Sequence, residues 1–384
     1  MNRGRRCALG LTLAAALLLP GCAGAKDIQN LAYATALGMD FVNGQYVAYV
    51  QILNFTNVAR TENVQLGKEV PIWVGTGTGD TVSGAIADVG VTSQLRLYWG
   101  HLKAVVLSEN VLRKGVIETY NALNRYREIR YNILMYGTKA KLMDILVQKS
   151  MFNLSPLDTI MFTAAQLNAP RSFILPVTGN RAIANLNEPA HTAMLPSLDI
   201  ARGSWSEDKR NKSMFTISGA YFFDDHKMNE WMSVSDLVGF RWAERKLERT
   251  PVRLPESGAP VAVLMLIKPR LTIRPIPSDG DVRFDLSVKV QGYVSEMIKD
   301  ASIAELERQA SIVIRDEIKE TYAKALGLKC DPFNLREAVY RKEPRLYRTL
   351  SARNPFFIRL DSIRRIDVRV HLTSTGKYKG FTDE

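Results

Sequence analysis

The N-terminal segment constrains this chain most, because it has the form of an export signal and so fixes the compartment in which the rest must fold. Arg3, Arg5 and Arg6 give it a positive start, and an apolar run follows from Ala8 to Leu19. A run of this length is typical of a signal peptide and is too short to cross a bilayer comfortably. The sequence therefore predicts an exported protein whose residues 1–21 are removed.

The residues that end this signal predict a lipid anchor. Leu19, Pro20, Gly21 and Cys22 form a lipobox, in which the Cys thiolate takes a diacylglycerol and the freed amine takes a further acyl chain. Residues 22–26 would then be a short lipidated tether. The stretch from Ala23 to Ala25 also has the small-residue pattern of an ordinary cleavage site, which would release a soluble protein. We favour the lipobox, since a Cys directly after the apolar run is unusual by chance.

The cysteine content limits the possible disulfide bonds, and the net charge limits the kinds of partner. Cys7 leaves with the signal and Cys22 is taken by lipid, so Cys330 is alone and a disulfide framework is excluded for the mature chain. The full chain carries a formal charge of +12, and the mature chain keeps 48 bases against 39 acids. Export argues against nucleic acid as a partner. The basic surplus fits anionic lipid headgroups, an acidic partner, or a merely solvated surface.

The hydrophobic pattern predicts an α+β fold of more than one domain, with mixed or antiparallel sheets and packed helices. We expect an N-terminal α/β or α+β domain over 27–168, a proline-punctuated boundary or bridging element over 169–211, and a C-terminal α+β domain over 212–384. Asn43-Gly44 predicts a hairpin between two strands. Helical spacing is found in seven main segments: 81–89, 111–124, 139–149, 157–167, 234–247, about 303–326 and 332–350.

The last predicted strand suggests an interaction surface. Ile366, Val368 and Val370 alternate with polar residues, so the polar set points away from the core. The possible interface consists of Arg365, Asp367, Arg369 and His371. An acidic partner, a headgroup layer and a solvated sheet face all fit such a row.

No catalytic or metal site can be assembled from the sequence. Gly75, Gly77 and Gly79 lie between a strand and a helix, but they lack the spacing and the Lys of nucleotide-binding loops, so a flexible turn is favoured. The four His residues show no zinc-ligand spacing. Asp224 and Asp225 before His226 are more typical of a hairpin turn than of a metal site. We therefore predict no enzyme, no metal and no cofactor beyond the lipid on Cys22.

Several segments, in their order along the chain, resemble the Ger(x)C family, the lipoprotein C subunits of spore germinant receptors. They span nearly the whole mature chain: Asp27–Ala32, Thr35–Asp40, Gly219–Phe222, Leu237–Phe240 with Trp242, Asp331–Phe333, Pro344–Tyr347 and Arg369–Leu372. The chain departs from the family in having Ala-Gly-Ala after Cys22 and Phe240-Arg241 where Trp-Leu is more usual.

The resemblance implies a non-catalytic subunit on the outer face of the spore inner membrane. Its partners would be integral-membrane subunits of the A and B types, and the complex would trigger germination in response to a nutrient. The nutrient, and whether this subunit binds a small molecule, stay open. Two other classes also fit a lipid-anchored chain. One is an extracytoplasmic solute-binding protein, which needs two doubly wound lobes around a cleft, and the other is an anchored cell-wall hydrolase.

Overall fold

The N-terminal half is built on one large mixed sheet. The computed structural model describes residues 31–53, 71–163, 173–255, 257–278 and 280–373. Ten strands form this sheet, in the order β10-β9-β8-β6-β5-β1-β2-β3, with β4 paired to β1 and β7 paired to β6. We call it the first sheet. Its strands are β1 Leu31–Val42, β2 Gln45–Leu53, β3 Trp73–Gly79, β4 Arg96–Tyr98, β5 Ala104–Ser108, β6 Leu134–Thr138, β7 Val177–Thr178, β8 Ala193–Glu207, β9 Arg210–Asp224 and β10 Lys227–Ser233.

Helices and turns cover both faces of the first sheet. The helices are α1 Val82–Val89, α2 Glu109–Lys114, α3 Val116–Leu123, α4 Leu142–Leu146 and α5 Gly179–Asn187. Helices α1, α2, α3 and α5 contribute to one apolar cluster, whereas α4 belongs to another together with Met161 and Phe162. Short 3-10 turns lie at Met151–Asn153 and Pro156–Asp158. The result is a layered α+β unit, as predicted from the pattern.

The predicted hairpin at Asn43-Gly44 is confirmed. Asn43 has φ 52° and Gly44 has φ 84°, and Val42 pairs with Gln45 at the end of the antiparallel β1–β2 ladder. Two positive φ angles in a two-residue loop match the right-handed twist of the flanking strands, and Asn and Gly adopt them at least cost.

The glycine-rich segment is part of a strand. Gly75, Gly77 and Gly79 lie in β3 and face α1. A Cβ placed on Gly77 would lie 2.5 Å from the carbonyl oxygen of Ala85, so only glycine lets the helix backbone come this close. The expected flexible turn is therefore wrong, and these glycines serve helix packing.

The C-terminal half is built on a second, four-stranded sheet in the order β11-β12-β13-β14. β11 to β13 are antiparallel, and β14 runs parallel to β13. The strands are β11 Arg249–Leu254, β12 Ala262–Ser278, β13 Asp281–Met297 and β14 Ile363–Leu372. The helices are α6 Ile303–Gly327, α7 Leu335–Lys342 and α8 Pro344–Arg353, with 3-10 turns at Val238–Trp242 and Leu360–Ser362.

One face of this second sheet forms the core of the C-terminal half. Leu264, Leu286 and Val368 from the strands pack with Leu306 and Ile314 of α6. Helix α6 begins at Ser302, whose hydroxyl accepts a hydrogen bond from the Glu305 amide, and it ends at Gly327 as predicted. The opposite face of the sheet carries the polar residues of the alternating strands.

Four helix predictions are wrong. The predicted helix 111–124 is broken into α2 and α3 at Gly115, which has φ 145°. Residues 157–163 form no α-helix, because the backbone turns extended at Thr159, directly after the 3-10 turn Pro156–Asp158. The predicted helix 234–247 is only a 3-10 turn, in which Gly239 lies against the α6 backbone. The predicted helix 332–350 is broken at Pro344 into α7 and α8.

The expected irregular stretch 169–211 contains regular structure. Helix α5 and strand β8 lie in it, and β8 pairs with β9 across position 211, so the first sheet continues to Ser233. The division of the chain into domains at 168 and 211 stays a prediction. Residues 1–30, which include the signal, Leu19, Pro20, Gly21, Cys22 and the tether, lie outside the described residues.

Candidate functional site

Strand β14 places its polar row on the exposed face of the second sheet, as predicted. Ile366, Val368 and Val370 are buried in the core. The side chains of Arg365, Arg369 and His371 are about 70% exposed, at 69%, 72% and 70%. Asp367 lies between the two arginines on the same face and is 37% exposed.

The residues of this row are partly paired with one another. A carboxylate oxygen of Asp367 lies 3.5 Å from Arg365 Nη2, and the other lies 3.7 Å from Arg369 Nη2. His371 Nδ1 lies 3.8 Å from a carboxylate oxygen of Glu307 on α6. Such exposed pairs contribute little stability, and the single carboxylate offsets part of the charge of the two arginines.

The neighbouring strands bring further bases beside this row, and the sequence analysis missed them. Arg270 lies in register with Lys289 on the next strand, and Lys289 lies in register with Arg369. Three bases therefore lie side by side across β12, β13 and β14. Four residues along each strand, Arg274 and Asp285 lie in register with Arg365. Only the strand register reveals this arrangement, although the alternation of each strand shows which residues point outward.

We call this surface the basic sheet face. Its bases project from the exposed side of the four strands: Arg249, Arg253, Arg270, Arg274, Arg283, Lys289, Arg364, Arg365 and Arg369. The acids on the same side are Asp281, Asp285, Glu296 and Asp367. Arg364 Nε donates to Asp285 Oδ1 at 2.8 Å, and this hydrogen bond holds the pKa of the Asp285 carboxyl below its usual value. The face therefore carries a clear surplus of positive charge.

A buried polar junction connects the two halves of the chain. The Arg336 guanidinium of α7 donates to Asp224 Oδ1 at 2.7 Å and to the Thr192 hydroxyl at 3.2 Å, and both acceptors belong to the N-terminal half. Asp331 is fully buried and accepts hydrogen bonds from the Leu335 and Arg336 amides. Burial raises the pKa of the Asp331 carboxyl, and the nearby Arg336 charge opposes that change.

The rim of the same junction holds an ion pair. His191 Nδ1 lies 2.6 Å from Glu337 Oε2, and Glu337 also pairs with Arg341. The hydrogen bond from His191 lowers the pKa of the Glu337 carboxyl. The backbone amide of Thr192 donates to Asn334 Oδ1 at 2.8 Å. These contacts fix α7 against the loop before β8.

One of the segments that carry the family resemblance, Leu237–Phe240 with Trp242, packs in the core. Trp242 is fully buried, and its indole N–H donates to Glu317 Oε2 at 2.7 Å. Arg241 Nε donates to the same carboxylate oxygen at 3.0 Å. Gly239 lies directly against the Glu317 carbonyl, where a Cβ would clash. The segment 237–242 thus anchors the short turn to α6.

Within the described part of the chain, neither a metal cluster nor an accessible thiol is present. Cys330 is fully buried, and burial raises the pKa of its thiol to about 12, so the reactive thiolate is scarce. Among the described residues, no group of three or more His, Cys, Asp or Glu side chains has the arrangement of a metal site. In the same residues, no helix is long and apolar enough to cross a bilayer.

One open cavity lies in the N-terminal half beside α1 and β4. Its volume is about 400 Å³, and Ile86, Leu97, Trp99 and Tyr126 give it an apolar lining with Arg96 at its edge. Ser93 and Gln94 are the other polar residues of a mostly apolar lining, and the cavity alone assigns no ligand.

The fold and these surfaces define a class of protein: a two-sheet α+β body whose distinctive groups are a basic sheet face and a buried polar junction. Comparisons with known proteins then give the family. The N-terminal domain model of spore germination proteins matches residues 24–200, and the C-terminal model, described as spore germination B3/GerAC like, matches residues 218–376.

Relatives and a solved structure agree with both matches. The chain is 24% identical over 360 residues to spore germination protein KC of Bacillus subtilis, covering 88% of each chain. It is 20% identical to spore germination protein B3 of the same organism, covering 73% of this chain and 72% of that one. The crystal structure of the GerBC protein aligns with 90% of this chain and all of its own, at a TM-score of 0.53 and 18% identity.

The chain therefore belongs to the GerAC-like family of spore germination proteins and has a role in spore germination. The resemblance noted in the sequence is confirmed, and so is the α+β fold with two sheets.

Proposed function

We propose that this chain is the lipid-anchored, non-catalytic C subunit of a nutrient germinant receptor, held on the outer face of the spore inner membrane and acting through contacts with integral-membrane A and B type subunits. The observation that carries the proposal is the match of two spore-germination domain models, in order, over both halves of the chain. The chain also spans nearly all of its relative KC.

The anchor in this proposal is Cys22. The lipobox Leu19-Pro20-Gly21 precedes it, and only eight residues separate it from the start of β1. Each buried methylene of an acyl chain contributes ~0.8 kcal/mol, so two or three chains make a lasting attachment. No other cofactor is proposed.

The candidate interface in this proposal is the exposed row of β14, whose partner is an acidic protein segment or the headgroup layer. Arg365, Asp367, Arg369 and His371 lie on one open sheet face and are not required by the core. A solute-binding protein is less well supported, because it needs two doubly wound parallel lobes, whereas the second sheet here is mostly antiparallel.

Labelling with a radioactive fatty acid tests the anchor. After a high-salt wash, the wild-type chain should carry the label and sediment with spore membranes, whereas Cys22→Ala should lose the label and enter the soluble fraction. Cys330→Ala is the matched control and should keep both properties. Retention of an unlabelled Cys22→Ala chain after the high-salt wash would show that the acyl chains on Cys22 are not what holds it there.

A further inference from the structure

Three bases of the basic sheet face form a cross-strand ladder. Arg270 lies opposite Lys289, and Lys289 lies opposite Arg369, on three adjacent strands. Arg270 and Lys289 belong to an antiparallel pair of strands, in which directly opposite side chains have Cβ atoms about 4.5–5.5 Å apart and like charges destabilise the sheet. Within the described part of the chain, Arg270 and Lys289 make no salt bridge that would offset this repulsion. The ladder is therefore a cost to folding that an external anion would relieve.

The positive charge continues around the ladder. Nine bases and four acids belong to the face, and the bases come from all four strands. The helices described for this half pack on the opposite, buried side, where they share a core with Leu266 and Val288. The charge is thus spread over an open and gently twisted surface, not gathered around a pocket.

Apolar side chains lie on the same face beside the bases. Val263, Met265 and Ile267 project from β12 and are partly exposed, and Tyr293 is 37% exposed on β13 in register with Met265. A surface that combines bases with aliphatic and aromatic side chains is typical of proteins that rest in the headgroup layer of a membrane.

We propose that the basic sheet face rests on the anionic headgroups of a lipid bilayer. Mobile headgroups can match charges spread over four strands, whereas an acidic protein needs carboxylates at fixed positions. The inference rests on the proposed membrane attachment of the chain. Nine residues, from Cys22 to Asn30, lie between the proposed lipid and β1, and a chain of this length reaches at most about 30 Å, so the folded body stays close to a bilayer. Docking of this face would orient the body on the membrane.

Vesicle sedimentation tests the proposal on the chain from Ala23 to Glu384, made without lipid. It should bind vesicles containing phosphatidylglycerol, bind pure phosphatidylcholine vesicles far less, and release at high salt. The triple variant Arg270→Gln, Lys289→Gln, Arg369→Gln should bind the anionic vesicles roughly 100-fold more weakly, since each base near such a surface contributes about fivefold.

A charge-matched variant on α8 is the control. Arg345→Gln, Arg348→Gln, Arg353→Gln removes three exposed bases from a helix on the other side of the sheet and should change binding by only about twofold. Thermal unfolding should show the ladder variant at least as stable as the wild type, because like-charge repulsion is removed.

Two results would overturn the proposal. Equal losses in the ladder and α8 variants would show that net charge, and not this face, governs vesicle binding. If the ladder variant binds anionic vesicles as tightly as the wild type does, the basic sheet face does not rest on headgroups, and an acidic protein is the better candidate for its partner. The fatty-acid label on Cys22 is measured separately, so a chain that is labelled but shows no vesicle binding would refute this inference and leave the anchor intact.

Discussion

Replacing Arg336 by Met should lower the free energy of unfolding, because this side chain joins the two halves of the chain. Its guanidinium donates to Asp224, to the Thr192 hydroxyl and to the Pro355 carbonyl, and its side chain is only 3% exposed. All three hydrogen bonds are charge-assisted because the donor is a guanidinium cation. Removing one partner of a buried ion pair costs about 3–5 kcal/mol, and we expect a loss in that range. Met keeps much of the apolar volume, so the change reports mainly the polar contacts.

Urea unfolding at neutral pH measures this loss. Arg341→Met is the control on the same helix, since Arg341 is 59% exposed and pairs with Glu188 and Glu337. An exposed pair contributes about 0.2–1 kcal/mol, so the control should stay within that range. A double-mutant cycle of Arg336→Met with Asp224→Asn should give a coupling free energy of about 1–3 kcal/mol.

A small effect would refute the reasoning. If Arg336→Met lowers the free energy of unfolding by no more than Arg341→Met does, the buried junction does not hold the halves together. A coupling free energy near zero would show that Asp224 and Arg336 act independently, whatever the size of the single-variant losses.

Three further outcomes are expected. Gly77→Ala should destabilise the fold by about 1–3 kcal/mol in urea titration, because its Cβ would meet the α1 backbone, while Thr76→Ala on the exposed side should be nearly neutral; equal effects would contradict the packing role. The pKa of Glu337 is lowered by His191, so this pair contributes stability above about pH 4.5 that is lost as pH falls through the lowered pKa. Glu337→Gln should therefore cost stability at pH 6 to 7 and progressively less below pH 4.5, and a pH-independent cost would rule out this ionisation as the cause. Cys330 should resist alkylation in the native chain and react fully in denaturant; rapid native labelling would show that the thiol is accessible.

Elements with a strong local pattern could be predicted from the sequence. The Asn43-Gly44 hairpin, the long helix stopped by Gly327 and the alternation of β14 each follow from turn chemistry or from side-chain period. In each case the residues that decide the structure are neighbours along the chain.

Elements decided by distant contacts could not be predicted. Residues 234–247 have helical spacing in the sequence but form only a short turn. Gly239 and Trp242 in this turn pack on Glu317 of α6, about 75 residues away. Residues 261–267 look uniformly apolar, yet β12 buries Leu264 and leaves Val263 partly exposed, because helices cover only one face of the second sheet.

The candidate surface was predicted in part for the same reason. Alternation along β14 shows that Arg369 points outward, but its position beside Lys289 and Arg270 depends on the register of three strands. The buried junction was missed entirely, since Arg336 and Asp224 are 112 residues apart and each resembles an ordinary surface charge in the sequence.

Germination of spores that lack this chain is the most direct test of its function as a receptor subunit. Such spores should lose the response to the nutrient that the receptor serves, and should still germinate when a trigger bypasses nutrient receptors. Restoring the wild-type chain should restore the response, and restoring Cys22→Ala should not. A normal response to every nutrient tested, with the chain shown to be absent, would contradict the proposed function.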